Sequence, residues 1–329
     1  MRRVLITGGA GFIGSHLAER FLAEGCAVTV LDDLSTGSRQ NIDHLIDDRA
    51  FTLVVGNVLN VALVDELVRQ HDRICHLASA VGVKLIMEQP VKTIETIFGG
   101  TEVVLRAAAK YRKRTLITST SEVYGKGVSV PFREDDDVVT GATSRHRWAY
   151  AAAKALDEFL ALAHWRESGL PVVVTRLFNT VGPRQTGQYG MVVPRFVQAA
   201  LAGEPLLVHG DGRQTRCFAH VDDVVEGLLL LLENEACFGQ VINLGNDQEV
   251  SIRSLAQTIV ETLNSRSEIR TIPYSEVYGD GFEDMRRRVP SLDKAFRLLG
   301  YRPERDLSEI IQDVAHAMAP YERELVRHS

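Results

Sequence analysis

The chain has 329 residues, 45% of them hydrophobic and 24% charged, with a formal net charge of −6; this is the make-up of a globular protein long enough to bury one large α/β core or two domains. That charge offers no electrostatic case for nucleic acid or an anionic membrane surface, and the basic run Arg286–Arg288 is local enough to be an anion site or a solvated turn. Cys26, Cys75, Cys217 and Cys237 form no CxxC pair and no zinc-ligand spacing, the leucine run Leu228–Leu232 is too short to span a bilayer, and no signal peptide opens the chain, so a reduced, metal-free cytoplasmic protein is expected.

In chain order, Val4-Leu5-Ile6 reads as a strand and Phe12–Glu24 as a helix. Strands follow at Ala27–Leu31 and Phe51–Val55, then a helical run over Val61–Gln70. Arg73–Leu77 reads as a strand, a long helix spans about Val91–Tyr111, Thr115–Thr118 is a strand, Trp148–Glu167 a helix and Val172–Arg176 a strand. This βαβαβ alternation predicts an α/β fold: a Rossmann-type, doubly wound parallel sheet with helices on both faces. After about residue 176 the pattern becomes irregular. Gly- and Pro-rich loops separate helices near Val193–Ala202, Val221–Glu233, Ile252–Leu263 and Leu307–Met318, and Val241-Ile242-Asn243 reads as a strand returning to the main sheet. The expected division is residues 1–176, with returning segments near 215–245, as a dinucleotide-binding unit, and 177–329 as a smaller α/β substrate-binding unit.

The stretch "TGGAGFIG" follows the first strand directly and opens the first helix, with Gly8, Gly11 and Gly14 in GxxGxxG spacing. Glycines there permit a tight turn and let backbone amides approach a pyrophosphate at the helix N-terminus. A Gly-rich helix start can exist without a ligand, but Asp32 ends the second strand, where a carboxylate accepts from ribose hydroxyls and repels a 2′-phosphate. NAD is therefore expected rather than NADP. "WAYAAAK" places Tyr150 and Lys154 four apart on one face of a helix, where an ammonium would lower the phenol pKa toward working pH.

With these motifs together, the chain resembles, over essentially its whole length, the extended short-chain dehydrogenase/reductases, in particular the nucleotide-sugar epimerases, dehydratases and decarboxylases. "HLAS" (76–79), "RLFNTVGPR" (176–184) and "GDGRQTRCFAHVDD" (210–223) carry the resemblance further. It implies that Phe12, Ile13, Asn57, Val58, Leu77 and Ala78, with the glycines, Asp32, Tyr150 and Lys154, line bound NAD. It implies that Asn179, Arg184, Arg195, Gln214 and Arg216 hold the nucleotide diphosphate or sugar, an Arg fork being well matched to phosphate. His76 and His220 read as structural. Two positions depart from the family pattern: Asn57 stands where many members carry Asp, its amide oxygen still able to accept from the adenine amino group, and Ile97 stands where many carry Asn.

"STSEVYG" (119–125) puts Glu122 at the mouth of a buried strand, where an unpartnered carboxylate would be costly. It is either solvated or substrate-facing. The triplet Thr120-Ser121-Glu122, the segment "YGDGFEDMRRRVPSLDKA" (278–295) and "GATSRHRWAYAAAK" (141–154) resemble the UDP-glucuronate decarboxylases. The resemblance places Glu122 near C5 of the sugar and Arg288, two before Pro290, on its carboxylate; a diphosphate clamp or solvated turn is the other reading of the arginines. The reaction implied is oxidation of UDP-glucuronic acid at C4, loss of CO2 from the β-keto acid and return of hydride, giving UDP-xylose or a released UDP-4-keto-pentose. Thr120, Ser121, Glu122, Tyr150, Lys154 and Arg288 are the implied catalytic set. A UDP-sugar or UDP-uronate 4-epimerase and a 4,6-dehydratase are the alternatives, and a homodimer through the two long helices is the implied assembly.

Overall fold

The computed structural model describes residues 1–79, 90–127, 129–145, 147–187, 191–273, 276 and 285–325. Seven parallel strands form the main sheet: β1 (Arg3–Thr7), β2 (Ala27–Asp32), β3 (Phe51–Val55), β4 (Arg73–His76), β5 (Arg114–Thr120), β6 (Val172–Leu177) and β11 (Val241–Leu244), in the order β11-β6-β5-β4-β1-β2-β3. The order reverses between β1 and β4, which opens a crevice beyond their carboxyl ends.

Side-chain alternation along the strands builds two core layers. On one face, Val4 and Ile6 of β1 and Val28 and Val30 of β2 pack with Leu17 and Phe21 of α1 (Phe12–Ala23) and with Val224, Val225 and Leu228 of α6 (Val221–Glu233). On the other, Leu5, Leu31, Ile74 and Ile117 meet Val64, Leu67 and Val68 of α2 (Val61–Gln70) and Val104, Leu105 and Ala108 of α3 (Gly100–Tyr111). The Asn60 side chain accepts from the Leu63 amide at 3.2 Å and so sets where α2 begins. α3 is entered through the short helix Pro90–Ile94 and a π-helical turn, Glu95–Gly99, in which Ile97 is fully buried. The 22-residue α4 (Arg147–Ser168) lies against β5, β6 and α3.

The expected return of Val241–Asn243 to the sheet is seen: β11 pairs with β6, Asn243 opposite Arg176. The rest of the C-terminal half packs α5 (Val192–Ala202), α7 (Ile252–Thr262) and α9 (Leu307–Leu325) around Phe196, Leu255, Ile259, Ile310 and Val314. β8 (Leu206–His209) pairs there with β13 (Ile269–Ile272), and β9 (Thr215–Cys217) with β12 (Glu249–Ser251). β7 (Thr180–Val181), β10 (Ala219–His220) and α8 (Asp293–Leu299) complete the chain. The six strands outside the main sheet are two to four residues long, too short to show a period in sequence, and α9 runs to Leu325 rather than ending near Met318.

Among the described residues no helix is long and apolar enough to cross a membrane, and no group of three His, Cys, Asp or Glu side chains is placed to hold a metal ion. The four cysteines are buried free thiols.

Candidate active site

The Gly-rich turn lies in the crevice between β1 and β4. Gly8 has φ +74°, and a Cβ on it would sit 2.6 Å from the Ala78 nitrogen, so only glycine lets β1 and the Leu77–Ala78 segment approach this closely. A Cβ on Gly14 would overlap the Gly8 carbonyl. Leu77 N–H donates to the Thr7 carbonyl at 3.0 Å and Ala78 N–H to the Thr7 hydroxyl at 3.3 Å, fastening the far wall. Gly11 is the N-cap of α1 and brings no side chain to the first-turn amides around Phe12 and Ile13, and that turn holds no acidic residue. Amides left this way suit an external anion.

Asp32 is buried at the end of β2, accepting from the Ala10 and Leu34 amides at 2.9 Å each, one on each carboxylate oxygen. Burial pushes its pKa up, opposed by those two amides. Each oxygen keeps acceptor capacity for a hydroxyl. Asn57 is more committed than expected: its amide nitrogen donates to Asp33 at 2.8 Å and its oxygen accepts from the Leu59 amide at 2.9 Å. An aspartate in its place would face the Asp33 carboxylate. Val58 is buried against Gly100, where a Cβ would be 2.7 Å from a Val58 methyl. Turn, amides and buried acid together fit a dinucleotide.

Beyond β4, the end of β5 turns into the 3₁₀ helix Ser121–Tyr124, with the Thr120 hydroxyl accepting from the Glu122 amide at 3.2 Å. Ser121 is buried in this turn, and Glu122 is partly exposed. Tyr150, on α4, hydrogen-bonds Thr120. The expected lysine effect is not what governs the phenol: its pKa is raised, by burial and then by the Glu122 charge, with Thr120 opposing. The Lys154 ammonium is occupied elsewhere, donating to the Thr118 carbonyl at 2.9 Å and lying 3.3 Å from Asp157, with both side chains almost wholly buried at 2% and 0% exposure. Asp157 is a neighbour that went unread, although its spacing of three from Lys154 puts it on the same helical face. Behind this cluster His76 bonds the hydroxyls of Thr7 at 2.7 Å and Thr101 at 3.1 Å; burial, with Lys154 nearby, pushes its pKa down to about 3, a neutral structural histidine.

The three arginines separate. Arg286 is exposed, and Arg287 makes a two-pronged ion pair with Glu249 at 2.8 and 2.7 Å on the surface. Arg288 alone turns inward, 7% exposed, with Nη2 2.5 Å from the Glu122 carboxylate. Its buried Nε–H has no acceptor among the described residues. Residues 278–284 of the segment that precedes it lie outside the described residues. Phe132 ties this segment down by accepting from Ser291 N–H and donating to the Val289 carbonyl, both at 2.8 Å. Thr120, Glu122, Tyr150 and Arg288 are thus brought to one place, with Lys154 behind them.

The expected substrate residues are less uniformly placed. Asn179 has φ +23° and donates to the Cys217 carbonyl at 2.9 Å; Gln214 donates to the His209 carbonyl at 3.0 Å. Arg216 is buried and donates to the carbonyls of Thr215 and Met285 at 2.7 and 2.9 Å. Arg195, partly exposed on α5, reaches the Leu207 carbonyl at 3.5 Å. The Arg184 guanidinium donates to Ser15 at 3.2 Å and to Glu19 at 2.5 Å on α1. His220 caps α6, its Nδ1 accepting from the Asp222 amide at 3.1 Å.

The chain matches the GDP-mannose 4,6 dehydratase family over residues 5–314. It is 44% identical over 316 residues to the UDP-N-acetyl-alpha-D-glucosaminuronate decarboxylase of Bacillus cytotoxicus, covering 94% of this chain and 97% of that one. It is 38% identical over 308 residues to UDP-glucuronic acid decarboxylase 1 of Danio rerio, covering 94% of this chain and 70% of the relative. The UDP-glucuronic acid 4-epimerase of Bacillus cereus, solved with UDP-glucuronic acid and NAD, superposes with a TM-score of 0.86 at 27% identity, covering 97% of this chain and 99% of that one.

Proposed function

The chain belongs to the GDP-mannose 4,6 dehydratase family, the NAD-dependent extended short-chain dehydrogenase/reductases that act on nucleotide sugars, and we propose that it is a UDP-uronate decarboxylase. The observation that carries this reading is the Glu122–Arg288 pair beside Tyr150 and Thr120. A simple transfer of hydride to and from C4 needs an acid–base group at the C4 hydroxyl; it does not need a carboxylate and a buried guanidinium alongside. Decarboxylation uses both.

Gly8, Gly11, Phe12, Ile13, Gly14, Asp32, Asn57, Val58, Leu77 and Ala78 would hold NAD, which supplies the acceptor for the C4 hydride and later its donor. Tyr150 takes the C4 hydroxyl proton, with Lys154 behind it on the same helix, held by Asp157 and the Thr118 carbonyl. The sugar carboxylate is then β to a ketone. Arg288 orients it through the Nε–H, which has no acceptor among the described residues. As the C5–C6 bond breaks, its electron pair moves onto the C4 oxygen, where Tyr150 and Thr120 hydrogen-bond the enolate. CO2 leaves, and a solvent proton reaches C5 through a water held by Glu122 or through Glu122 itself; Tyr150 gives its proton back to the C4 oxygen when the ketone is reduced. The keto sugar is reduced to the pentose, or escapes as the 4-keto product.

The sugar is glucuronic acid, as first expected, or its 2-acetamido analogue, which is what the more similar Bacillus relative acts on. Mass spectrometry of the products from both UDP-sugars, with NAD, tests this. Loss of one CO2 from either supports the reading and names the sugar. Conversion at unchanged mass supports a uronate 4-epimerase, the second reading, which the likeness to the Bacillus cereus enzyme favours.

Residues 1–176 with the segments near 215–245 form the dinucleotide unit in this reading, and 177–329 most of the substrate unit. Two copies pair through α4 and the helix before α3, where Phe159 and Leu156 are 70% and 47% exposed beside exposed Val91 and Ile94. Light scattering of Phe159→Glu against the parent checks that pairing: the dimer mass is expected to fall to that of one chain.

A further inference from the structure

Resting on the decarboxylase reading, we propose that Asn243 is a positioning residue that sets how Glu122 and Arg288 face each other. Both partners lie outside the strands of the main sheet, the Glu122 amide tied to Thr120 at the end of β5 and the stretch before Arg288 tied to β9 through Thr215 and Arg216. Glu122 sits in a single 3₁₀ turn, and Arg288 in a segment that meets the Phe132 region through one isolated bridge, Phe132 to Pro290. Asn243 is on β11, fixed by its ladder to β6, and is fully buried.

Its side chain reaches both walls at once. The Tyr124 hydroxyl, two residues from Glu122, donates to Asn243 Oδ1 at 2.8 Å. Asn243 Nδ2 donates to the carbonyls of Phe132 at 3.0 Å and Ser291 at 3.3 Å, the latter three residues from Arg288. Its own backbone N–H donates to Glu134 at 2.9 Å. The Tyr124 ring stacks on Phe132, centroids 4.6 Å apart, so the turn and the arginine segment are coupled by packing as well. One carboxamide thus satisfies a hydroxyl and two buried carbonyls from three separate stretches of chain. No apolar side chain could do so: the Tyr124 hydroxyl and the Ser291 carbonyl would lose the bonds Asn243 gives them, while the Phe132 carbonyl would keep the Ser291 N–H. Asn243 is bonded to neither charged group of the pair, so it acts through their backbone.

The test is a double-mutant cycle on kcat, with Asn243→Ala and Glu122→Gln alone and combined, and with calorimetry of UDP binding to each holoenzyme. Misplacing the pair by about an ångström is expected to lower kcat by roughly a hundredfold in Asn243→Ala. UDP affinity should be unchanged, and almost no further loss should appear in the Glu122→Gln background. Tyr124→Phe, which removes one hydrogen bond and keeps the ring, should give a smaller loss with the same dependence on Glu122. Equal fold losses with and without Glu122, or no loss in either single variant, would overturn the proposal. If the parent enzyme releases no CO2, the decarboxylase reading fails instead, and the same cycle on whichever nucleotide sugar it converts still decides the role of Asn243.

Discussion

Arg288 and Glu122 lie 166 residues apart in the chain and 2.5 Å apart in space. The carboxylate at the mouth of β5 is therefore an ion-paired group at the edge of the crevice, and its partner is the one arginine of three that turns inward. Replacing Glu122 with Gln keeps the shape and removes the acid–base group. If the chain is the proposed decarboxylase, turnover of its nucleotide sugar should drop by roughly 10²–10⁴-fold with UDP affinity unchanged, measured by steady-state kinetics and calorimetry. An unaltered kcat would remove Glu122 from the reaction.

The same substitution should be visible at Tyr150. Burial raises the phenol pKa and the Glu122 charge raises it further, so removing that charge lowers it. Ultraviolet difference titration against Tyr150→Phe should show the phenol ionising at lower pH in Glu122→Gln than in the parent.

Asp32 spends one hydrogen bond per carboxylate oxygen on the Ala10 and Leu34 amides and keeps the rest for a ligand. Asp32→Ser should weaken NAD binding roughly ten- to a hundredfold, the worth of a hydrogen bond to a charged group. Isothermal calorimetry with NAD and NADP checks this, and the preference for NAD over NADP should narrow.

His76 should make the protein acid-sensitive. Its folded pKa is depressed to about 3 by burial and Lys154, whereas an unfolded histidine titrates near 6.5. Between those values the unfolded chain binds a proton that the folded chain does not. Stability is therefore fully present above about pH 6.5 and falls as pH drops toward 3, by about 1.4 kcal/mol per unit once titration is complete. In urea titrations between neutral and mildly acidic pH, His76→Gln should show a shallower fall in midpoint than the parent.

Arg176 and Glu158 form a buried ion pair at 2.7 Å, supported by Ser119 and the Glu134 carbonyl. Deleting one partner strands a charge, so Glu158→Ala should cost about 3–5 kcal/mol in denaturant unfolding. Replacing both by apolar residues of similar volume should recover much of that loss.

Much of this was legible in sequence because it is local. Short apolar runs and amphipathic period-3.6 runs marked the seven strands and their helices, and Gly8, Gly14 and Asp32 lie within one βαβ unit whose geometry is stereotyped. Tyr150 and Lys154 were legible as helical neighbours, but their electrostatics were not. Spacing shows that an ammonium is near a phenol; it does not show that Asp157 and the Thr118 carbonyl hold that ammonium, or that burial and Glu122 dominate. The roles of Arg287 and Arg288 were indistinguishable for a similar reason: adjacent identical residues differ only in what the fold brings opposite them, Glu249 for one and Glu122 for the other. The Arg184 contact with Glu19 was not legible because the motif says nothing of a residue 165 positions earlier.

The return of β11 to the edge of the sheet has a consequence for the order in which the protein becomes competent during its own synthesis. The Gly-rich turn, Asp32 and the Leu77–Ala78 segment all precede Glu122 in the chain, Tyr150 and Lys154 follow it, and Glu122 has no Arg288 until 166 further residues follow. Since N-terminal units fold first on a growing chain, the Gly-rich turn and Asp32 can be in place well before Glu122 meets Arg288. The reactive pair is assembled last, when Asn243 and the segment after Arg288 have both emerged.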